Sequence, residues 1–184
     1  MSGNRIATTG EPKPTHPGHH HRTAAVAKVP TAIVSVSDTR SFETDTGGKR
    51  IAELLAAAGH PVVAREVVRD EPEQIRGALE RWLRDDSVRA VVFTGGTGVA
   101  PRDVTPETVE PLLERVIPGF GELFRMLSWQ EVGSAALLSR ALAGIAAGRV
   151  VFVLPGSRAA VELALEKLIL PELGHLAAEA VKTR

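Results

Sequence analysis

From residue 31 onward the chain alternates short unbroken apolar runs with longer stretches whose apolar residues fall three or four apart. TAIVSVS (31–37) predicts a buried strand, and Ile51, Leu54, Leu55 and Ala58 then follow helical spacing, with Gly59 placed to end the helix. The unit repeats. PVVAREVV (61–68) predicts a second strand and Ile75, Leu79, Trp82 and Leu83 a second helix. RAVVF (89–93) predicts a third strand. Val109, Leu112, Leu113 and Val116 suggest one helix after it, and Phe120, Leu123, Phe124 and Leu127 another. RALAGIA (140–146) is a weaker run, read as an extra edge strand. RVVFVLPG (149–156) is the last buried strand, and Val161, Leu165, Leu168 and Ile169 face the core from a closing helix. Buried strands alternating with amphipathic helices predict an α/β fold of three layers, a mostly parallel sheet with helices on both faces. No domain boundary is visible after residue 30.

Composition narrows this picture. Residues 1–28 carry His16, His19, His20, His21 and three prolines with no apolar signal-like core, and read as a disordered tail ahead of a domain at 29–184. The histidines could take up a metal adventitiously; a polar extension is the simpler reading. Lys plus Arg and Asp plus Glu are both 22, which leaves no basic field for nucleic acid. There are no cysteines, so thiol redox chemistry and Cys-held metals are excluded. AALLSRALAGIAAGRVVFVLP is about long enough for a bilayer, but Arg140, Arg149 and its glycines mark it as core strands. The expectation is a cytoplasmic protein without membrane or nucleic-acid partners.

In a parallel sheet, ligands bind beyond the carboxyl ends of the strands. The strand exits here are Ser35-Val36-Ser37-Asp38-Thr39, Thr94-Gly95-Gly96-Thr97-Gly98 and Pro155-Gly156-Ser157. All are glycine- or hydroxyl-rich, so their backbone N–H groups can form anion nests, aided by the helix expected after Ser157. Thr105 with Pro106 reads as a helix cap and first turn, which leaves Asp103 free to hold Mg²⁺ or orient a phosphate. Asp70 fits either a ligand role or a capping box with Glu73. Asp38 and Asp45 could touch ligand or close local turns, and Arg102 and Arg158 could steer anions or be solvated surface.

SVSDTR, TDTGGKRI, TGGTGVAPRDVTPE, PGFGELFRML and LPGS, in this order, resemble the MoaB/MogA family of molybdenum cofactor biosynthesis proteins, the B branch most closely. The resemblance implies an α/β fold assembled as trimers or dimers of trimers and a site for the phosphorylated pterin dithiolene molybdopterin. It also implies adenylylation of that pterin by MgATP with release of pyrophosphate, and a protein that inserts molybdenum as a further partner. Two acidic positions carry over as catalytic, Asp70 and Asp103, with Asp103 as the candidate Mg²⁺ holder. Gly95, Gly96, Thr97 and Gly98 would cradle a phosphate, and Ser37, Asp38, Pro155, Gly156 and Ser157 would line the rest of the pocket. Two other readings stand beside this one: a non-catalytic molybdopterin carrier, and a nucleotide enzyme like the related domain of competence-damage proteins.

Overall fold

The computed structural model of the chain describes residues 26–182; the tail histidines His16, His19, His20 and His21 lie outside the described residues. Among the described residues the strands β1 (Thr31–Val36), β2 (Val62–Val68), β3 (Ala90–Thr94), β4 (Arg115–Val116), β5 (Leu142–Ala146) and β6 (Arg149–Leu154) form one sheet in the order β2-β1-β3-β6-β5-β4. The first four in that order run parallel. β5 and then β4 add antiparallel. The helices are α1 (Thr46–Ala57), α2 (Pro72–Arg84), α3 (Thr105–Val109), α4 (Pro118–Val132), α5 (Arg158–Ala164) and α6 (Leu170–Ala180). None is long and apolar enough to cross a membrane.

The central strands are buried on both sides, which is why their sequences are apolar without alternation. Their side chains nonetheless divide by the strand period of two. Ile33, Val92, Phe152 and Leu154 join the core under α1, α4, α5 and α6. Val34, Val91, Phe93, Val151 and Val153 join the opposite core with Ile75 and Leu79 of α2. Burying a large aliphatic or aromatic side chain contributes roughly 1.5–3 kcal/mol, so these two layers dominate the stability of the sheet. Phe120 of α4 lies 5.4 Å from the Phe152 ring, centroid to centroid, fixing α4 against β6.

Two sequence expectations fail in one region. Val109, Leu112, Leu113 and Val116 do not share a helix: α3 stops at Val109, Glu110–Leu112 make a 3₁₀ turn, and Arg115 and Val116 pair with Ile145 and Gly144. Pro111 has no N–H to donate into a helical ladder, so helical spacing there is coincidental. The run at 140–146 is a strand, but β4 lies outside it, so it is not the edge.

Candidate functional site

The sheet order changes direction between β1 and β3, because β2 lies on one side of β1 and β3 and β6 on the other. At such a switch point the exits of neighbouring strands diverge and leave a crevice. The β3 exit crosses close to its neighbours. Gly95 N–H donates to Leu154 O at 3.0 Å, and Thr94 Oγ1 donates to Pro155 O at 3.0 Å. Gly95 has φ +106°, and a Cβ there would fall 2.2 Å from Val36 O, so only glycine permits this approach. After Gly95 the chain turns sharply, and among the described residues the N–H groups of Gly96, Thr97 and Gly98 donate to no protein acceptor. Three consecutive N–H groups without a protein acceptor are the raw material of an anion nest.

The carboxylates flank that nest. A Cβ at Gly96 (φ +62°) would meet Thr105 Oγ1 at 2.3 Å and Asp70 Oδ1 at 2.7 Å, and a Cβ at Gly98 would meet Asp103 Oδ2 at 2.7 Å. Both glycines therefore make room for acidic side chains as well as for an anion. Asp103 also closes its own turn by accepting the Ala100 N–H at 3.0 Å. Burial pushes the Asp70 carboxyl above the usual carboxylate range, and the negative charges of Asp38 and Asp103 push it further. The capping-box reading of Asp70 does not hold, since α2 is entered from Glu71 with no side-chain cap. Nor does Thr105 cap α3: the helix is entered from Val104, and the buried Thr105 hydroxyl has no partner.

Asp38 accepts a 2.5 Å bond from Arg102 and also receives the Asp70 N–H. Arg102 further binds Glu71 at 3.1 Å, so it is an internal clamp on two acids. Arg158 pairs with Glu162, which also holds Arg50. Asp45 is the α1 cap: it accepts the Gly48 N–H at 2.9 Å and the Ser35 hydroxyl at 2.6 Å while buried. Arg140 was visible in sequence only as a charge interrupting an apolar run. Its guanidinium donates to Thr97 O at 3.3 Å and Asp103 O at 2.7 Å and pairs with Glu107, bracing both ends of the glycine loop. No spacing pattern marks such a residue, because its partners are backbone carbonyls about 40 positions away in sequence.

A cavity of about 370 Å³ opens over the loop. Gly95, Gly96, Thr97, Gly98, Asp103, Pro155, Gly156 and Ser157 form its polar side, and Phe124, Val132, Ala135, Ala136, Leu138 and Leu163 its apolar wall. Ser37 lies on the far side of the Gly95–Gly156 contact, in a second cavity of about 400 Å³. Asp38 is outside the first cavity, and Asp70 stands behind Gly96. The expected residues are thus gathered at one sheet edge, in three neighbouring cavities with Asp70 behind the glycine loop. Three or more clustered metal-type ligands are absent among the described residues. Mg²⁺ needs no such cage, since one or two carboxylates suffice when substrate phosphates complete the shell. Of the two, Asp103 lines the cavity that a Mg²⁺ arriving with phosphate would enter, while Asp70 acts from behind Gly96 as a nearby charge.

A mostly parallel sheet whose strand exits set unpartnered backbone N–H groups and the Asp103 carboxylate opposite an apolar wall defines an α/β protein suited to a ligand with an apolar body and a charged end. Comparison with known proteins agrees. The family model described as "Probable molybdopterin binding domain" matches residues 32–175. The molybdenum cofactor biosynthesis protein B of Bacillus cereus is 49% identical over 160 residues, covering 86% of this chain and 95% of its own. A crystal structure of a molybdenum cofactor biosynthesis protein B superposes with TM-score 0.81 at 50% identity, covering 83% of this chain and 96% of that one. The tungsten cofactor synthesizing protein MoaB from Pyrococcus furiosus gives TM-score 0.79 at 36% identity, covering 86% and 100%. The chain belongs to the MoaB/MogA family of molybdenum cofactor biosynthesis proteins. A CinA protein from Thermoplasma acidophilum, at 18% identity and TM-score 0.54, shares the fold alone.

Proposed function

We propose that the chain binds molybdopterin in the glycine-floored cavity and adenylylates it with MgATP during cofactor biosynthesis in the cytoplasm, where ATP is supplied. The observation that carries this reading is the cavity itself. Its apolar wall suits the pterin plane, and the free N–H groups of Gly96, Thr97 and Gly98 suit the terminal phosphate. In the proposed reaction a phosphate oxygen of the pterin attacks the α-phosphorus of ATP, the α–β anhydride bond breaks, and pyrophosphate leaves. The chain's own part is to hold two polyanions in line and offset their repulsion. Mg²⁺, held by Asp103 together with phosphate oxygens and with Asp70 as a nearby charge, would supply charge neutralisation.

The Asp103–Ala100 hydrogen bond favours a second reading, in which Asp103 only shapes the loop and the protein carries molybdopterin without turnover. Incubating the purified protein with molybdopterin, Mg²⁺ and ATP labelled at the α-phosphate separates the two. Labelled adenylylated pterin with equimolar pyrophosphate supports the enzyme; tight pterin binding without label transfer supports the carrier. The same proposal takes the working form as a homo-oligomer, a trimer or dimer of trimers, that hands its product to a molybdenum-inserting protein.

A further inference from the structure

One wall of the 370 Å³ cavity over the glycine loop is a face of α4, and its chemistry changes along the helix. Phe124, Ser128 and Glu131 line the cavity at i, i+4 and i+7, the spacing that puts side chains on one helical face. They pass from interior to mouth: Phe124 is 1% and Ser128 7% exposed, whereas Glu131 is open to water. An aromatic floor is thus followed outward by two polar groups.

Neither polar group serves the helix. Serine inside a helix commonly bonds back to the carbonyl four residues earlier. The Ser128 hydroxyl, though its residue is buried, has no hydrogen-bond partner among the described residues. Glu131 is the second-last residue of α4, where the negative end of the helix dipole disfavours a carboxylate. No basic residue stands in that last turn, and among the described residues Glu131 has neither an ion-pair nor a hydrogen-bond partner. Side chains three positions apart on a helix have their Cβ atoms about 5–6 Å apart, so both groups reach one edge of a flat ring lying against Phe124. A carboxylate only accepts, and two adjacent N–H groups satisfy both of its oxygens, while a hydroxyl can donate to a neighbouring oxo group. A ring edge with two adjacent N–H donors followed by an oxo group is that of a 2-amino-4-oxopyrimidine. In a pterin this is the half farthest from the phosphate-bearing side chain.

We propose that Glu131 and Ser128 read this edge, the Glu131 carboxylate accepting from the 2-amino group and N3–H and the Ser128 hydroxyl donating to the 4-oxo group. The cavity thereby selects a 2-amino-4-oxo ring. This deepens the pterin reading of the cavity, on which it rests, by naming the residues that enforce it. It also fixes the direction of binding, because the carboxylate repels the phosphate end that the N–H groups of Gly96, Thr97 and Gly98 receive.

The test is a binding titration of the full chain with three probes: 6-hydroxymethylpterin phosphate, its lumazine counterpart in which an oxo group replaces the 2-amino group, and inorganic phosphate. Wild type is expected to favour the pterin ester about tenfold, since the lumazine loses one charge-assisted hydrogen bond and turns an oxygen towards the carboxylate. Glu131→Gln should weaken the pterin ester by about the same factor, abolish the preference and leave inorganic phosphate unchanged. Ser128→Ala should weaken both esters about threefold, because both keep the 4-oxo group, and leave the preference intact. Wild type that binds the two esters equally overturns the assignment and leaves the pterin cavity standing, as does a Glu131→Gln protein, folded by circular dichroism, that keeps the preference. Wild type that binds neither ester overturns both. A preference lost in Glu131→Gln, in a protein that transfers no label from ATP, keeps the assignment and removes the adenylylation.

Discussion

At the scale of single residues, the glycine loop separates two roles that its sequence merges. TGGTG suggests that every glycine is there to let an anion approach. Gly96, however, has φ +62° and packs against Thr105 and Asp70, so a side chain there strains the backbone before it touches any ligand. Gly96→Val is therefore expected to damage the fold and cannot isolate affinity. Gly98 has no positive φ, and its missing Cβ leaves room only for Asp103. Gly98→Ala should displace that carboxylate with little loss of melting temperature and so reproduce the behaviour of Asp103→Asn. Both should lower label transfer about a hundredfold, the scale of losing a preorganised electrostatic contact, while pterin binding measured by titration changes little. Full turnover in Asp103→Asn would sink the catalytic assignment. Asp70 adds a stability signature. Its pKa is raised by burial and by Asp38 and Asp103, so the folded state binds the proton more tightly than the unfolded chain. The ionised form therefore costs stability at neutral pH, and the cost vanishes below the ordinary Asp range near 4. Asp70→Asn should raise the melting temperature by ~1–3 °C at pH 7, with the gain shrinking towards zero below about pH 4. A loss of stability at pH 7 would mean that Asp70 is a structural group.

Elements were legible where one physical cause set the pattern. The central strands read as unbroken apolar runs because helices cover both faces, and α1 and α2 read clearly because each buries one stripe, Ile51 with Leu55 and Ile75 with Leu79. The exits containing Ser37, Gly95 and Gly156 were legible for a related reason, since their place follows from strand direction alone. The stretch 105–116 was not legible: Pro111, a 3₁₀ turn and a two-residue strand lie within one apparent helical period, and β4 exists only because β5 supplies its partner. Arg140 was equally hidden, for its role depends on which backbone carbonyls the fold brings near. His60 shows how such long-range links tune an element. It follows α1, is 8% exposed, and accepts the Val29 N–H at Nδ1 over 3.1 Å, tying the helix end to the start of β1. Burial lowers its pKa, so the fold prefers the neutral ring. Its contribution is complete above the ordinary histidine value near 6.5 and is lost as pH falls through the lowered folded value. Melting curves from pH 7 to 5 should fall more steeply for wild type than for His60→Asn, which keeps an acceptor without titrating; parallel slopes would remove His60 from the acid response.

On the scale of the whole molecule, α4 has two faces with opposite fates. Phe120, Phe124 and Ser128 are buried against the sheet, while Leu123, Met126, Trp129 and Val132, each three positions from the last, are 47%, 53%, 57% and 56% exposed. The apolar stripe continues through the following 3₁₀ turn, where Leu137 is 77% and Leu138 55% exposed. Isolated exposed apolar residues are ordinary, but a stripe along a helix and into the next turn is the kind of surface that fits the proposed subunit contact. In the proposed homo-oligomer that partner is a second copy of the chain. Val132 and Leu138 also belong to the apolar wall of the 370 Å³ cavity, so a neighbour seated on this stripe would border the pterin site. Leu137→Glu, at a position that touches neither the cavity nor the core, is expected to convert a trimer or hexamer into monomer by light scattering at micromolar concentration. The monomer should keep its sheet by circular dichroism yet bind pterin several-fold more weakly, because Val132 and Leu138 are then left to solvent. Wild-type monomer at that concentration would refute the assembly. Leu137→Glu protein that is monomeric but binds pterin as wild type does would show that each subunit completes its own site.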